Sequence, residues 1–533
     1  MKKMSKLLSV IMALAMVMSL TVGVNAAGTP ATTYKIEINN STPGYVYTAY
    51  QVFSGDLSTN TNGDKVLSNI KWGSGVNDTA LLSAVNTKYS TTLTTAAQVA
   101  QELADGNIDA KDFSDLVGAN LKGSGTDSVS VQLVNTNGVG AHSSYEITGL
   151  MTGYYFVKNT TVPAGGTHTD FILDVVGNAT VTHKGVVPTV IKKVKDINDS
   201  VDSSASPWQD SADHDIGDTV EYKLEGTLPS NYADYKDYTY IFHDKLSAGL
   251  TYNSNAKVYV VNGSNSTEIT DDATISYDST KYELTITFDD LKTITTATID
   301  KDSKILVEYT CTLNSNAVIG SAGNPNEVYL EFSNNPNQAG GGTTVTPKDK
   351  VTVFTFSLQA DKVDENNAPL TGAGFTLFKA YKLDSNGLLP AGKTEATHAD
   401  LPTAPTGTKW VAVGAELTGT TTFTWTGIDD GHYALLETTT PAGYNTMDPV
   451  EFDVTTTHDT DSADPQLTAL ASTLANFTAS LSTGLIDGDI VNTTGTVLPS
   501  TGGIGTTIFT VSGIVLMLGA VILLVSKKRS TIA

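Results

Sequence analysis

The chain has 533 residues, roughly three to four times the usual domain size, so several folded domains are expected rather than one core. Asp and Glu outnumber Lys and Arg by 56 to 32, and a net charge of −24 excludes a protein that grips nucleic-acid phosphates. One arginine, Arg529, and one cysteine, Cys311, exclude an upstream guanidinium fork for an anionic ligand and any internal disulfide framework. The chain opens with Lys2, Lys3 and Lys6, continues through an uncharged apolar run from Leu7 to Leu20, and reaches the small residues Val24 and Ala26. That order of charge, apolar run and small residues predicts a secretory signal peptide over 1–26, with the mature chain starting near Ala27.

Region 27–183 mixes strand patterns at Tyr34 to Ile38 and Gly153 to Val157 with helical periodicity near Asp78 to Val85 and Thr95 to Ala104. Region 184–345 is dominated by alternation with period 2, as in Lys281 to Phe288 and Ile305 to Cys311. Turn and linker residues from Pro336 to Pro347 precede a third β-rich region, assigned to 346–495. The expected fold is mainly β: tandem immunoglobulin-like β-sandwich domains, the N-terminal one with helical insertions. Region 498–533 ends the chain. Within it Ile504 to Val525 is free of charge and long enough to cross a hydrocarbon core of about 30 Å, and Lys527, Lys528 and Arg529 follow at once. Neither end carries an acidic residue, so removing both leaves an exported part that is more acidic still.

Strand arithmetic exposes an anomaly, because residues two apart share a face and a polar residue among apolar i±2 neighbours is carried indoors. Lys362 shares a face with Phe354, Phe356, Leu358 and Ala360; Glu437 with Tyr433 and Leu435; Asp244 with Tyr240, Phe242 and Leu246. Lys192 lies with Val190 and Val194, Asn326 with Val328, Leu330 and Phe332, and Asn492 follows Ile490. The middle and third regions thus each offer a lysine early, a carboxylic acid midway and an asparagine late. Burial lowers the pKa of a lysine and raises that of an acid, so both lose their charge. A neutral amine is a nucleophile, and a protonated acid polarises an amide and moves protons. Beside an asparagine such a pair can form an intramolecular amide with loss of ammonia. The plainer reading is that these lysines snorkel to solvent at strand ends while the acids sit in turns.

Leu498-Pro499-Ser500-Thr501-Gly502, then the apolar segment, then the basic tail resembles the LPxTG cell-wall sorting signal of Gram-positive surface proteins. The segment from Tyr433 through Glu437 to Tyr444 resembles the E-box of sortase-assembled pilins, and Leu358 to Lys362 followed by Leu370 to Phe375 resembles the opening of a collagen-adhesin B-type domain. Tyr47 to Gly55 and Pro188 to Lys192 are also similar to segments of backbone pilins. The resemblance implies cleavage by a sortase between Thr501 and Gly502, a Lys362–Asn492 bond with Glu437 as catalytic acid, and a Lys192–Asn326 bond with Asp244 as catalytic acid. No such bond is expected in the N-terminal domain, because Lys35 faces away from Tyr34, Ile36 and Ile38 and no E-box is visible. For polymerisation the positional equivalent of the family's acceptor lysine is Lys184, although Thr182, His183 and Gly185 depart from the family's motif and Lys192 and Lys193 stand nearby as alternatives.

The partners so implied are a class C pilus sortase, identical subunits in a head-to-tail polymer, accessory pilins and peptidoglycan; a host surface ligand is left open, and nucleic acid is excluded. The expected location is the cell wall, after a precursor held in the membrane. An accessory or basal pilin, or a monomeric wall-anchored adhesin, is the alternative carried by the same sorting signal. No cofactor is called for. The eight histidines are scattered without zinc-ligand spacing, and Asp429-Asp430 and Asp459-Thr460-Asp461 lack the glycine and terminal glutamate of an EF-hand loop. A wall-anchored hydrolase would need paired carboxylates in a cleft, and the candidate acids are taken by the internal bonds.

Overall fold

A computed structural model describes residues 32–133, 141–202, 204–496, 498 and 504–530. The expected signal peptide, and all of the sorting pentapeptide except Leu498, lie outside the described residues. Six sheets are present among them, paired into three sandwiches along the chain.

In the first sandwich one sheet runs Val129–Leu133, Ala141–Leu150, Tyr34–Asn39 and Ala179–Thr182. The other runs Lys65–Trp72, Val46–Thr59, Gly153–Thr161 and Asp170–Val175. Ile36, Ile38, Tyr47, Tyr145, Ile147 and Val157 fill the space between the sheets. The second sheet is apolar on its outer face as well, where Val52, Phe53 and Phe156 meet Leu81, Val85, Val99, Phe113 and Val117 of the helices Asp78–Tyr89, Ala96–Ala104 and Ala110–Ala119. A sheet buried on both faces explains why burial in Val46–Thr59 does not alternate. The second helix starts at a Thr95/Gln98 capping box. The third, which sequence periodicity had not marked, is ten residues long and starts at Asp109, whose side chain accepts from the N–H groups of Lys111 and Asp112.

The middle sandwich has Val190–Val194, Thr219–Thr227, Lys304–Leu313, Lys257–Asn262 and Asn265–Glu268 in one sheet. Ser211–Asp213, Asp349–Phe354, Asn324–Ser333, Tyr240–Leu246, Glu283–Phe288 and Thr274–Asp278 form the other. Asp349–Phe354 pairs antiparallel with Asn324–Ser333, so this strand belongs to the middle sheet although it follows the boundary expected at residue 345. The passage into the third sandwich is abrupt, because the next strand, Phe356–Asp364, starts two residues later.

In the third sandwich Thr422–Ile428, Phe356–Asp364, Leu485–Asn492 and Phe477–Ser480 face Thr408–Ala412, Gly374–Lys382, Gly431–Thr439, Val450–His458 and Leu467–Ser472. The pairing of Phe356–Asp364 with Leu485–Asn492 is parallel, which sets the start of this unit beside its end. After it comes the helix Ile504–Ser530, in which an 18-residue window of Gly505–Lys528 has a mean hydropathy of 2.8 and is unburied, the span being long and apolar enough to cross a membrane.

Candidate functional site

The middle sandwich places Lys192, Asp244 and Asn326 in one closed pocket. Lys192 is 0 % exposed on one sheet, while Asp244 and Asn326 come from adjacent strands of the facing sheet, in a register that sets Leu246 opposite Asn326. Lys192 Nζ donates to Asp244 Oδ1 at 2.6 Å and to the Tyr309 hydroxyl at 2.8 Å. That hydroxyl donates to Asp244 Oδ2 and accepts from Asn326 Nδ2 at 2.8 Å. Tyr222 stacks on Tyr309 with ring centroids 5.3 Å apart, so the group is roofed by aromatic surface. Burial pulls the Lys192 amine below its ordinary pKa, with the Asp244 charge opposing it, and burial pushes the Asp244 carboxyl up. Both shifts favour the uncharged pair.

The third sandwich assembles its trio differently. Lys362, 1 % exposed, sits opposite Ile490 in the parallel pairing, and its Nζ donates to the carbonyls of Val363 at 2.8 Å and Ile490 at 3.2 Å. Asn492 is two residues beyond Ile490 on the same strand, and its Nδ2 donates to Glu437 Oε1 at 2.7 Å. Glu437 reaches across from the facing sheet, and its Oε2 accepts from the Met447 N–H at 2.6 Å. Burial again pulls the lysine below its ordinary pKa. In both trios the asparagine Oδ1 is buried without a hydrogen-bond partner, which leaves each amide carbonyl unsatisfied.

Lys184 is exposed in the connection between the first and second sandwiches, one residue after the half-buried His183. His183 Nδ1 lies 3.0 Å from the Tyr47 hydroxyl, and burial lowers its pKa to about 4. A Cβ at Gly185 would stand 2.0 Å from His183 Nε2 and 2.3 Å from Thr167 Oγ1, so the glycine that departs from the acceptor motif is needed for close backbone approach. Lys35 has its ammonium paired with Glu146 and Glu37 on the solvent side, away from the buried Ile36 and Ile38.

Sequence reasoning missed two groups. Tyr309 shares its face with Ile305, Val307 and Cys311, and a hydroxyl on that apolar face was the available signal. Lys379 shares a face with Phe375, Leu377 and Tyr381, so the arithmetic that marked Lys192 and Lys362 applies to it as well. It is 0 % exposed, and its Nζ meets Asp199 Oδ2 and Asp215 Oδ2 at 3.0 Å each and Asp429 Oδ1. These carboxylates belong to a four-aspartate cluster completed by Asp218, and the ammonium fills the place a cation would take. Asp199 and Asp215 come from the middle sandwich's 195–218 segment, so the group joins two domains. Nearby His458 Nε2 lies 3.6 Å from Asp196 Oδ2 and 3.5 Å from Asp213 Oδ1 across the same junction.

Three family models match the chain. Residues 216–336 match the Gram-positive pilin backbone subunit 2, Cna-B-like domain; residues 356–466 match a prealbumin-like fold domain; residues 490–531 match the LPXTG cell wall anchor motif. The trypsin-resistant surface T6 protein of Streptococcus pyogenes serotype M6 is 25 % identical over 372 residues, covering 65 % of this chain and 63 % of that relative. The solved T6 backbone pilin of serotype M6 Streptococcus pyogenes, described as a modular three-domain structure, aligns with a TM-score of 0.51 at 17 % identity over 88 % of this chain and all of that one. The full-length major pilin SpaD of Corynebacterium diphtheriae aligns with a TM-score of 0.46 at 16 % identity, over 89 % of this chain and 99 % of that one. With a pilin backbone domain, a prealbumin-like domain and a cell wall anchor matched in succession, the chain is similar to the Gram-positive backbone pilins.

Proposed function

We propose that the chain is a structural subunit of a covalently polymerised pilus on a Gram-positive cell wall. In this reading a sortase cuts between Thr501 and Gly502 and passes the Thr501 acyl group to Lys184 of the next subunit. The middle and third sandwiches are each closed by an amide formed within the domain, Lys192 to Asn326 and Lys362 to Asn492, with Asp244 and Glu437 as the acids. The chain acts on itself once and is otherwise a substrate. The observation that carries the reading is the recurrence of the trio: two buried lysines of lowered pKa, each grouped with a buried acid and a buried asparagine, upstream of a matched cell wall anchor. Lys184 is supported as acceptor by its exposure at an interdomain connection, while Lys192 is enclosed.

Each amide formed with loss of ammonia removes about 17 Da, so the exported chain is expected to weigh about 34 Da less than its sequence. A mass equal to the plain sum rejects both bonds. Cells carrying the wild-type chain and its sortase are expected to show a ladder of detergent-resistant, high-mass species. The ladder is expected to vanish with Lys184→Ala while the mass deficit persists. A single anchored species from the wild-type chain would favour an accessory pilin or a monomeric adhesin instead.

A further inference from the structure

The two trios differ in how the acid reaches the asparagine. In the third sandwich Glu437 Oε1 accepts directly from Asn492 Nδ2. In the middle sandwich both Asp244 oxygens are engaged elsewhere, Oδ1 by Lys192 Nζ and Oδ2 by the Tyr309 hydroxyl, and Asn326 Nδ2 donates to Tyr309. The phenol oxygen is therefore 2.8 Å from the amine that must lose a proton and 2.8 Å from the nitrogen that must gain one. We propose that Tyr309 is a catalytic proton relay for the Lys192–Asn326 amide, carrying the proton from the attacking nitrogen to the departing one. This rests on the reading that the amide forms.

The step balances without any outside reagent. The Lys192 Nζ lone pair attacks Asn326 Cγ, a C–N bond forms, and the carbonyl electron pair moves onto Oδ1. Nζ gives one proton to the Tyr309 oxygen as Tyr309 gives its own hydroxyl proton to Nδ2. The pair on Oδ1 restores the carbonyl, the Cγ–Nδ2 bond breaks, and ammonia leaves. Tyr309 and Asp244 end in the protonation states in which they began, Asp244 serving as the acid by polarising the phenol through Oδ2. Burial and the neighbouring carboxyl hold the phenol far above its ordinary pKa, which suits a group that exchanges protons without storing charge.

The test follows each cross-link by peptide mass mapping over time after cell-free synthesis of the full chain in detergent. In Tyr309→Phe the Lys192–Asn326 link is expected to form on the order of 100-fold more slowly or not at all, the usual scale for general acid–base help. The Lys362–Asn492 link in the same molecules is expected to keep its wild-type rate. A Tyr309→Phe chain that links Lys192 to Asn326 at the wild-type rate overturns the relay alone. A wild-type chain with neither link overturns the underlying reading together with the relay. Should the phenylalanine disturb folding, 3-fluorotyrosine at position 309 keeps the shape while lowering the phenol pKa. It is expected to change the Lys192–Asn326 rate while leaving the Lys362–Asn492 rate as it is in the wild-type chain, and an unchanged Lys192–Asn326 rate overturns the relay.

Discussion

Lys192 and Lys379 are both removed from water, yet their surroundings set opposite charge states. Burial lowers the pKa of each. Lys192 has Asp244 as its close carboxylate partner and stays below its ordinary value, whereas the carboxylates of Asp215, Asp429 and Asp199 outweigh burial around Lys379 and hold it well above. The first arrangement favours a neutral amine; the second fixes an ammonium as a structural counter-charge. Removing one partner from either group leaves the rest stranded. Asp244→Ala is expected to restore the missing ~17 Da of the middle domain's ammonia loss. Lys379→Met leaves several buried aspartates unpaired and is expected to cost about 3–5 kcal/mol, the range for breaking one partner of a buried ion pair, measurable by denaturant unfolding.

Strand pairing decides what each amide would hold together. Lys192–Asn326 would tie one sheet of the middle sandwich to the other, while Lys362–Asn492 would tie two neighbouring parallel strands at opposite ends of their domain's sequence. Each closes a loop of roughly 130 residues, and a 100-residue loop closed by a cross-link is worth about 4.7 kcal/mol of unfolded-state entropy in a simple chain model. Asn326→Ala and Asn492→Ala are therefore each expected to lower the unfolding temperature of their own sandwich and leave the other's unchanged, as differential scanning calorimetry would resolve. The connection after Ala179–Thr182 obeys a different constraint. Gly185→Ala drives a Cβ into His183 and Thr167 and is expected to cost about 1–3 kcal/mol in the thermal stability of the first sandwich, the usual scale of overpacking.

The assembled chain has a polar joint between its second and third sandwiches, and that joint is expected to respond to pH. His458 sits against Asp196 and Asp213 with its Nδ1 2.7 Å from Ser211 Oγ, and despite burial the carboxylates raise its pKa from 6.5 to about 10. A cation whose folded pKa is raised stabilises fully below its unfolded value, and that contribution is lost as pH rises through the folded one. Burial, with Asp213 and Asp196 nearby, raises Asp430 from 3.8 to about 8, so the folded state binds its proton more tightly and loses stability as pH rises from about 4 to about 8, overlapping the lower part of the His458 window. Both shifts point the same way. The joint is expected to loosen between pH 6.5 and about 10, seen as faster amide exchange in residues 196–218 and 427–432, and His458→Gln is expected to flatten the dependence.

Alternation along Phe356–Asp364, Tyr240–Leu246 and Asn324–Ser333 was enough to send Lys362, Asp244 and Asn326 indoors, because the side-chain period of a strand is a local property of the backbone. The order of anchor motif, apolar segment and basic tail is likewise local. Which buried groups meet was not readable in this way. Tyr309 enters the middle trio because Lys304–Leu313 lies in the sheet facing Asp244, and the Lys379 cluster exists because a loop of one sandwich folds onto the next. Asp349–Phe354 joins the middle sheet through pairs made with residues about 25 positions earlier. Burial follows from the neighbours two residues away, whereas partnership, and with it the charge that each buried lysine keeps, depends on residues that only the packing of separate strands brings together.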